Sequence, residues 1–121
     1  MEDILNNDLV RLKFEDILFI IFIVAISFNI VANQYQKNYV NTGNKKSEKT
    51  SNDIYLFVLI VVLLIYLYFI YRNYDAYKKA SVDDKRIFRI KLLGSALLIA
   101  GVSCLIYFQS HNLDFVGAPS V

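Results

Sequence analysis

Residues 92–108 read LLGSALLIAGVSCLIYF, a segment with no charged side chain and seven small residues. Residues 54–71 read IYLFVLIVVLLIYLYFIY, which is equally apolar but contains no small residue. A third apolar segment, residues 17–32, also lacks Asp, Glu, Lys and Arg. A helix that rises about 1.5 Å per residue needs about 17–25 apolar residues to cross a hydrocarbon core about 30 Å thick. The three segments therefore predict an all-α membrane protein with three transmembrane helices.

Two other fold classes fit the composition poorly. A membrane β-barrel needs alternating apolar and polar residues in at least about eight strands. A soluble core is disfavoured because 56% of the 121 residues are hydrophobic and they are concentrated in three uninterrupted segments. The length allows one domain. The predicted organisation is an acidic N-terminal segment with a short amphipathic helix (1–16), a first span (17–33), an external polar loop (34–53), a second span (54–72), a cytoplasmic hairpin turn (73–90), a third span (91–108) and an external tail (109–121).

The first apolar segment is short enough for a signal peptide. The preceding residues 1–16 contain five acidic residues but only Arg11 and Lys13 as bases, and no clear cleavage site follows. A secretory signal begins with a positively charged region. We therefore predict an uncleaved first span.

The distribution of Lys and Arg predicts the orientation. The N-terminal segment has two such residues and the 71–91 connection has seven, whereas the opposite side of the membrane has four. Because basic residues stay in the cytoplasm, this bias predicts a plasma-membrane protein with a cytoplasmic N-terminus and an external C-terminus. Six of these residues form a predicted basic collar, which either binds anionic lipid headgroups or only sets the topology. The collar consists of Lys78, Lys79, Lys85, Arg86, Arg89 and Lys91.

The connection between the second and third spans has strong helix signals. Asp75 precedes Lys79 by one helical turn, and Ser81 precedes Asp84 by the spacing of a capping box. We expect one helix to continue to about residue 80 and the next to run from about 82 to 108, so that spans two and three form a long hairpin. The polar segment 38–53 is expected to be a mobile loop, and the tail is expected to be irregular.

The small residues of the third span lie on one helical face, which predicts close packing against another helix. We call it the small-residue face; it consists of Ala96, Ala100, Ser103 and Cys104, with Gly94 and Gly101 at its edge. The second span, with large side chains only, is expected to face lipid. Asn29 lies at the depth of Ser103, so a hydrogen bond between them would place the small-residue face inside the chain; packing against another chain stays open.

An ion pair is expected at the other end of the first span. Glu15 and Asp16 match Arg89 and Lys91 in depth. Such a pair would be exposed at the membrane surface and would contribute only about 0–1 kcal/mol.

The sequence favours a protein without catalysis. With a single cysteine and a single histidine, the chain can form neither an internal disulfide nor a Cys/His metal site, and it has no nucleophile paired with a base. No motif for a cofactor, a nucleic acid or a small molecule occurs in the sequence. The spans contain no ionisable residue of the kind that marks transport. We expect an accessory, scaffold or interaction subunit that binds a membrane protein or itself, and an immunity protein would look the same. The alternative is a homo-oligomeric channel or holin-like pore, with Asn29, Asn33 and Gln36 lining its mouth and only Asn29 inside the membrane.

Overall fold

The computed structural model describes residues 2–111 and 115–119, which form four helices. These are α1 (Glu2–Asn6), α2 (Asp8–Thr42), α3 (Lys45–Lys79) and α4 (Lys85–Ser110). The helices α2, α3 and α4 are each long and apolar enough to cross a membrane. No strand occurs in the described residues, and residues 115–119 have no regular structure. The predicted all-α membrane fold with three spans is confirmed.

Helix α3 is the centre of the bundle, with α2 on one side and α4 on the other. In the most apolar window of each helix, 33% of the residues are buried in α3, against 17% in α2 and 6% in α4. The core joins Val58 and Val62 of α3 to Val102 of α4. The expectation that the second span faces lipid was therefore wrong. Large branched side chains can interdigitate on two sides of a helix, and here they pack against both neighbours.

The α2–α3 connection is a tight turn rather than the predicted external loop at 34–53. Gly43 adopts a left-handed conformation with φ of 72° and donates its N–H to the Tyr39 carbonyl at 2.7 Å. The Asn44 side chain then caps α3 by accepting from the N–H groups of Lys46 and Ser47 at 3.0 and 3.4 Å. A glycine C-cap followed by an asparagine N-cap satisfies both helix ends within two residues. The helices therefore continue through the polar sequence.

Replacing Gly43 with alanine tests this turn. The new Cβ would meet no atom within 4 Å, so the cost is the left-handed backbone alone. We expect the free energy of unfolding to fall by about 1–2 kcal/mol. Steric trapping in bicelles would measure it, with Gly94→Ala, at an equally open helical site, as the control that causes no loss. Equal stabilities of the two variants would contradict the role of Gly43.

The α3–α4 connection confirms the predicted hairpin. Asp75 and Lys79 form the expected ion pair at 3.0 Å. Ser81 does not cap α4 with its side chain. Instead, its carbonyl accepts from the N–H groups of Asp84 and Lys85 at 3.1 and 3.0 Å. Helix α4 therefore begins at Lys85, three residues later than predicted.

The N-terminal residues lie at the same end of the bundle as this turn. Residues Glu2–Asn6 form α1, but the rest of the predicted amphipathic segment belongs to α2, which begins at Asp8. The Asn7 side chain caps α2 by accepting from the N–H groups of Leu9 and Val10. Lys79 donates to the Asn6 side chain at 2.8 Å. We call this end of the bundle the basic end, and the opposite one the Gly43 end.

Candidate functional site

A buried carboxylate at the basic end is the first candidate site. Glu15 of α2 is only 4% exposed. Its Oε1 accepts from Arg72 Nη1 at 2.9 Å and its Oε2 accepts from the Tyr68 hydroxyl at 3.0 Å, both from α3. Arg11, one turn earlier on α2, lies 3.7 Å from Glu15. We call these four side chains the Glu15 cluster. Because a buried charge is stable only when it is paired and hydrogen-bonded, the cluster fixes α2 against α3.

The cluster extends to α4 through one amide. Arg72 donates from Nε and Nη2 to Asn73 Oδ1 at 3.2 and 2.9 Å. Asn73, itself buried, donates to the Ser95 hydroxyl at 2.5 Å. Hydrogen-bonded polar side chains therefore connect all three long helices at one depth.

The expected ion pair of Glu15 or Asp16 with Arg89 or Lys91 does not form. Helix α3 lies between α2 and α4, so Glu15 meets Arg72 instead. Asp16 is exposed.

Polar pairs at the Gly43 end connect the same helices. The Tyr55 hydroxyl donates to Asn33 Oδ1, and Gln36 Nε2 donates to the Ser51 hydroxyl at 2.5 Å. From α4, Gln109 Nε2 donates to Asn52 Oδ1 at 3.3 Å. Two members of the suggested pore stripe, Asn33 and Gln36, are thus bonded to α3.

The small-residue face of α4 is exposed along its whole length. Gly94, Ala96, Ala100, Gly101, Ser103 and Cys104 are all exposed. A Cβ added at either glycine would meet no neighbouring atom within 4 Å. Helix α4 packs on α3 through its opposite face, which buries Val102 and partly buries Ile106. No part of the described chain covers the small-residue face.

The predicted hydrogen bond between Asn29 and Ser103 is wrong. The side-chain oxygen of Asn29 is buried but has no hydrogen-bond partner within the described chain, and Ser103 is exposed. Asn29 is on α2, which has almost no contact with α4 because α3 separates the two helices.

The basic collar is divided between two helix ends. Lys79 is paired with Asp75, Lys78 lies over the Tyr74 ring, and Lys85 donates to the Tyr77 carbonyl at 2.9 Å. The remaining three residues, Arg86, Arg89 and Lys91, are exposed and make no ion pair in the described part of the chain. All three are on α4.

Sequence reasoning did not find the Glu15–Arg72 pair, although a signal was present. Glu15 lies two residues before the first apolar segment, and Arg72 directly follows the second. In antiparallel neighbouring helices, residues at these positions lie at the same depth. No three His, Cys, Asp or Glu side chains in residues 2–111 and 115–119 are grouped so that they could hold a metal ion.

Comparison of the chain with protein-family models, with curated proteins and with solved structures gave no significant match.

Proposed function

We propose that this small membrane protein is a non-enzymatic interaction subunit of the cell membrane, whose N-terminus is cytoplasmic and whose C-terminus is external. Its binding surface is the small-residue face of α4, and its partner is a transmembrane helix of another protein or of a second copy.

The exposure of the small-residue face is the observation that carries this proposal. Small residues permit the close backbone approach that drives helix association in lipid. In this chain α4 packs on α3 through the face that carries Val102 and Ile106. The small-residue face, which is better suited to close packing, stays exposed and can bind another helix.

The pore alternative has weaker support. A water-filled pore needs a continuous polar face directed away from the other helices of the subunit. The side chains of Asn33 and Gln36 instead form hydrogen bonds with α3. In a pore, these polar groups would face the water in the channel.

Site-specific crosslinking in native membranes tests the proposal. A photoreactive residue at Ala100, on the small-residue face, is expected to crosslink one membrane protein in a fixed ratio. The control is the same residue at Leu64, which is exposed on α3 outside the small-residue face. An additional Ala96→Trp substitution, which blocks close approach, is expected to remove the crosslink.

Three outcomes distinguish the functions. A larger membrane protein captured only from position 100 supports an accessory subunit, and a crosslinked dimer supports self-association through α4. Ring-sized products from both positions, together with conductance in planar bilayers, would favour the pore and contradict the proposal.

The orientation is tested by cysteine labelling. In a Cys104→Ala background, Asn41→Cys at the Gly43 end is expected to react with an impermeant maleimide in intact cells. Ser81→Cys at the basic end is expected to react only after the membrane is opened; both positions are exposed. Basic residues kept in the cytoplasm give this pattern. The reverse labelling pattern would contradict the proposed topology.

A further inference from the structure

A groove of about 330 Å³ lies between α2 and α4, over the basic-end half of α3. Its walls are formed by aromatic and aliphatic side chains, and its polar end contains Arg72, Asn73 and Ser95. The apolar lining residues are Phe19, Phe22, Ile65, Tyr66, Phe69 and Leu98. This volume is at the lower end of the range for small-ligand sites, about 300–1,000 Å³.

The groove arises because α2 and α4 flank α3 with almost no contact between them. It opens sideways from the three-helix bundle, and its apolar lining is at the depth of the apolar segments of all three helices. Phe19 stacks on Phe69 with ring centroids 5.6 Å apart, and Phe22 lies beside Tyr66 at 6.4 Å, so these rings form a defined wall. Within hydrocarbon, a concavity lined by apolar side chains favours an acyl chain over water.

The polar end of the groove offers donors for an anion. Arg72 uses three of its five N–H donors on Glu15 and Asn73, which leaves two available. Lys91 precedes Leu98 by seven residues, which places it on the same face of α4 and nearer the basic end. Lys91 is exposed, and Ser95, one turn later on α4, accepts from Asn73 next to Arg72.

We propose that this groove binds one anionic phospholipid, with an acyl chain along Phe19, Phe22 and Leu98 and the phosphate between Arg72 and Lys91. Two features select this ligand: the apolar wall is open to the bilayer, and Arg72 and the exposed Lys91 supply positive charge at its polar end. The site is on the opposite flank of α4 from Ala96 and Ala100, so it does not depend on the proposed protein partner.

The chain has no tryptophan, so one introduced residue can report on the groove. Phe19→Trp places an indole on the groove wall. Leu97→Trp places the indole outside the groove, at an exposed position within about one helical turn of the same depth. Each variant is reconstituted in phosphatidylcholine vesicles that contain a small fraction of phosphatidylglycerol. Only one of the two lipids carries brominated acyl chains, which quench tryptophan fluorescence on contact.

At position 19 we expect brominated phosphatidylglycerol to quench about fivefold more effectively, per mole fraction, than brominated phosphatidylcholine. At position 97 we expect the two lipids to quench equally. In the Phe19→Trp chain, Lys91→Gln should remove most of the preference. Arg86→Gln, on the far side of α4, should leave it unchanged. The double substitution Glu15→Gln with Arg72→Gln, which removes the buried ion pair, should also lower the preference for phosphatidylglycerol.

Three results would overturn the proposal. Equal quenching by both lipids at position 19 would show ordinary solvation by lipid. The same preference at positions 19 and 97 would show general attraction to the basic end without a site. Quenching at position 97 but by neither lipid at position 19 would show that protein fills the groove.

Discussion

Replacing Arg72 with leucine is expected to lower the free energy of unfolding by about 3–5 kcal/mol. The substitution leaves the Glu15 carboxylate buried, only 4% exposed, without its 2.9 Å guanidinium partner. The Tyr68 hydroxyl and the more distant Arg11 remain, but neither replaces that contact. Asn73 also loses both donors to its side-chain oxygen. Steric trapping in bicelles, where unfolding is coupled to binding of a bulky tag, measures the loss.

Two variants serve as controls for this prediction. Arg89→Leu removes an exposed arginine that makes no ion pair in the described part of the chain, and it should change stability by less than about 0.5 kcal/mol. The double variant Glu15→Gln with Arg72→Leu removes the unpaired charge, and it should recover most of the loss. Equal stabilities of Arg72→Leu and Arg89→Leu would contradict the structural role of the Glu15 cluster.

The three spans and the α3–α4 hairpin could be predicted because their determinants are local in sequence. The hydrocarbon thickness sets the length of each apolar segment, and it acts on each helix independently of its neighbours. The pairing of Asp75 with Lys79 depends only on helical periodicity. Such features require no knowledge of which helix lies beside which.

The order of the helices could not be predicted in this way. In lipid, an apolar side chain is equally suited to a protein neighbour or to an acyl chain, so hydropathy does not separate the central helix from the outer ones. Small residues permit close packing but do not choose the partner, which is why the α4 face could be identified and its neighbour could not. Once α3 is central, Glu15 has Arg72 within reach, and Asn29 and Ser103 are held apart.

The turn at Gly43 was missed for a different reason. The polar composition of residues 38–53 suggested a solvated loop, but polar residues are compatible with helices that extend beyond the membrane. Gly43 is typical of a helix C-terminus, and Asn44 is typical of a helix N-terminus. The polar composition of the segment nevertheless favoured a loop. Side-chain hydrogen bonds then join α2 and α3 next to the turn; for example, Asn38 Nδ2 donates to the Ser47 hydroxyl at 2.6 Å.

The central position of α3 leads to the second large effect, at Leu59. This side chain is fully buried, whereas Leu64, five residues later on the same helix, is 60% exposed. Leu59→Ala is expected to lower the free energy of unfolding by about 1–3 kcal/mol. The lost transfer energy is small because lipid is as apolar as the protein interior, so the cavity and the lost dispersion contacts dominate.

Leu64→Ala is the matched control, because it deletes the same atoms from a lipid-facing position where acyl chains close the gap. It should change stability by less than about 0.5 kcal/mol. Unfolding of both variants in bicelles by steric trapping would give the difference directly. A larger loss for Leu64→Ala than for Leu59→Ala would mean that α3 turns a different face to its neighbours. The arrangement of α2 and α4 around it would then be wrong.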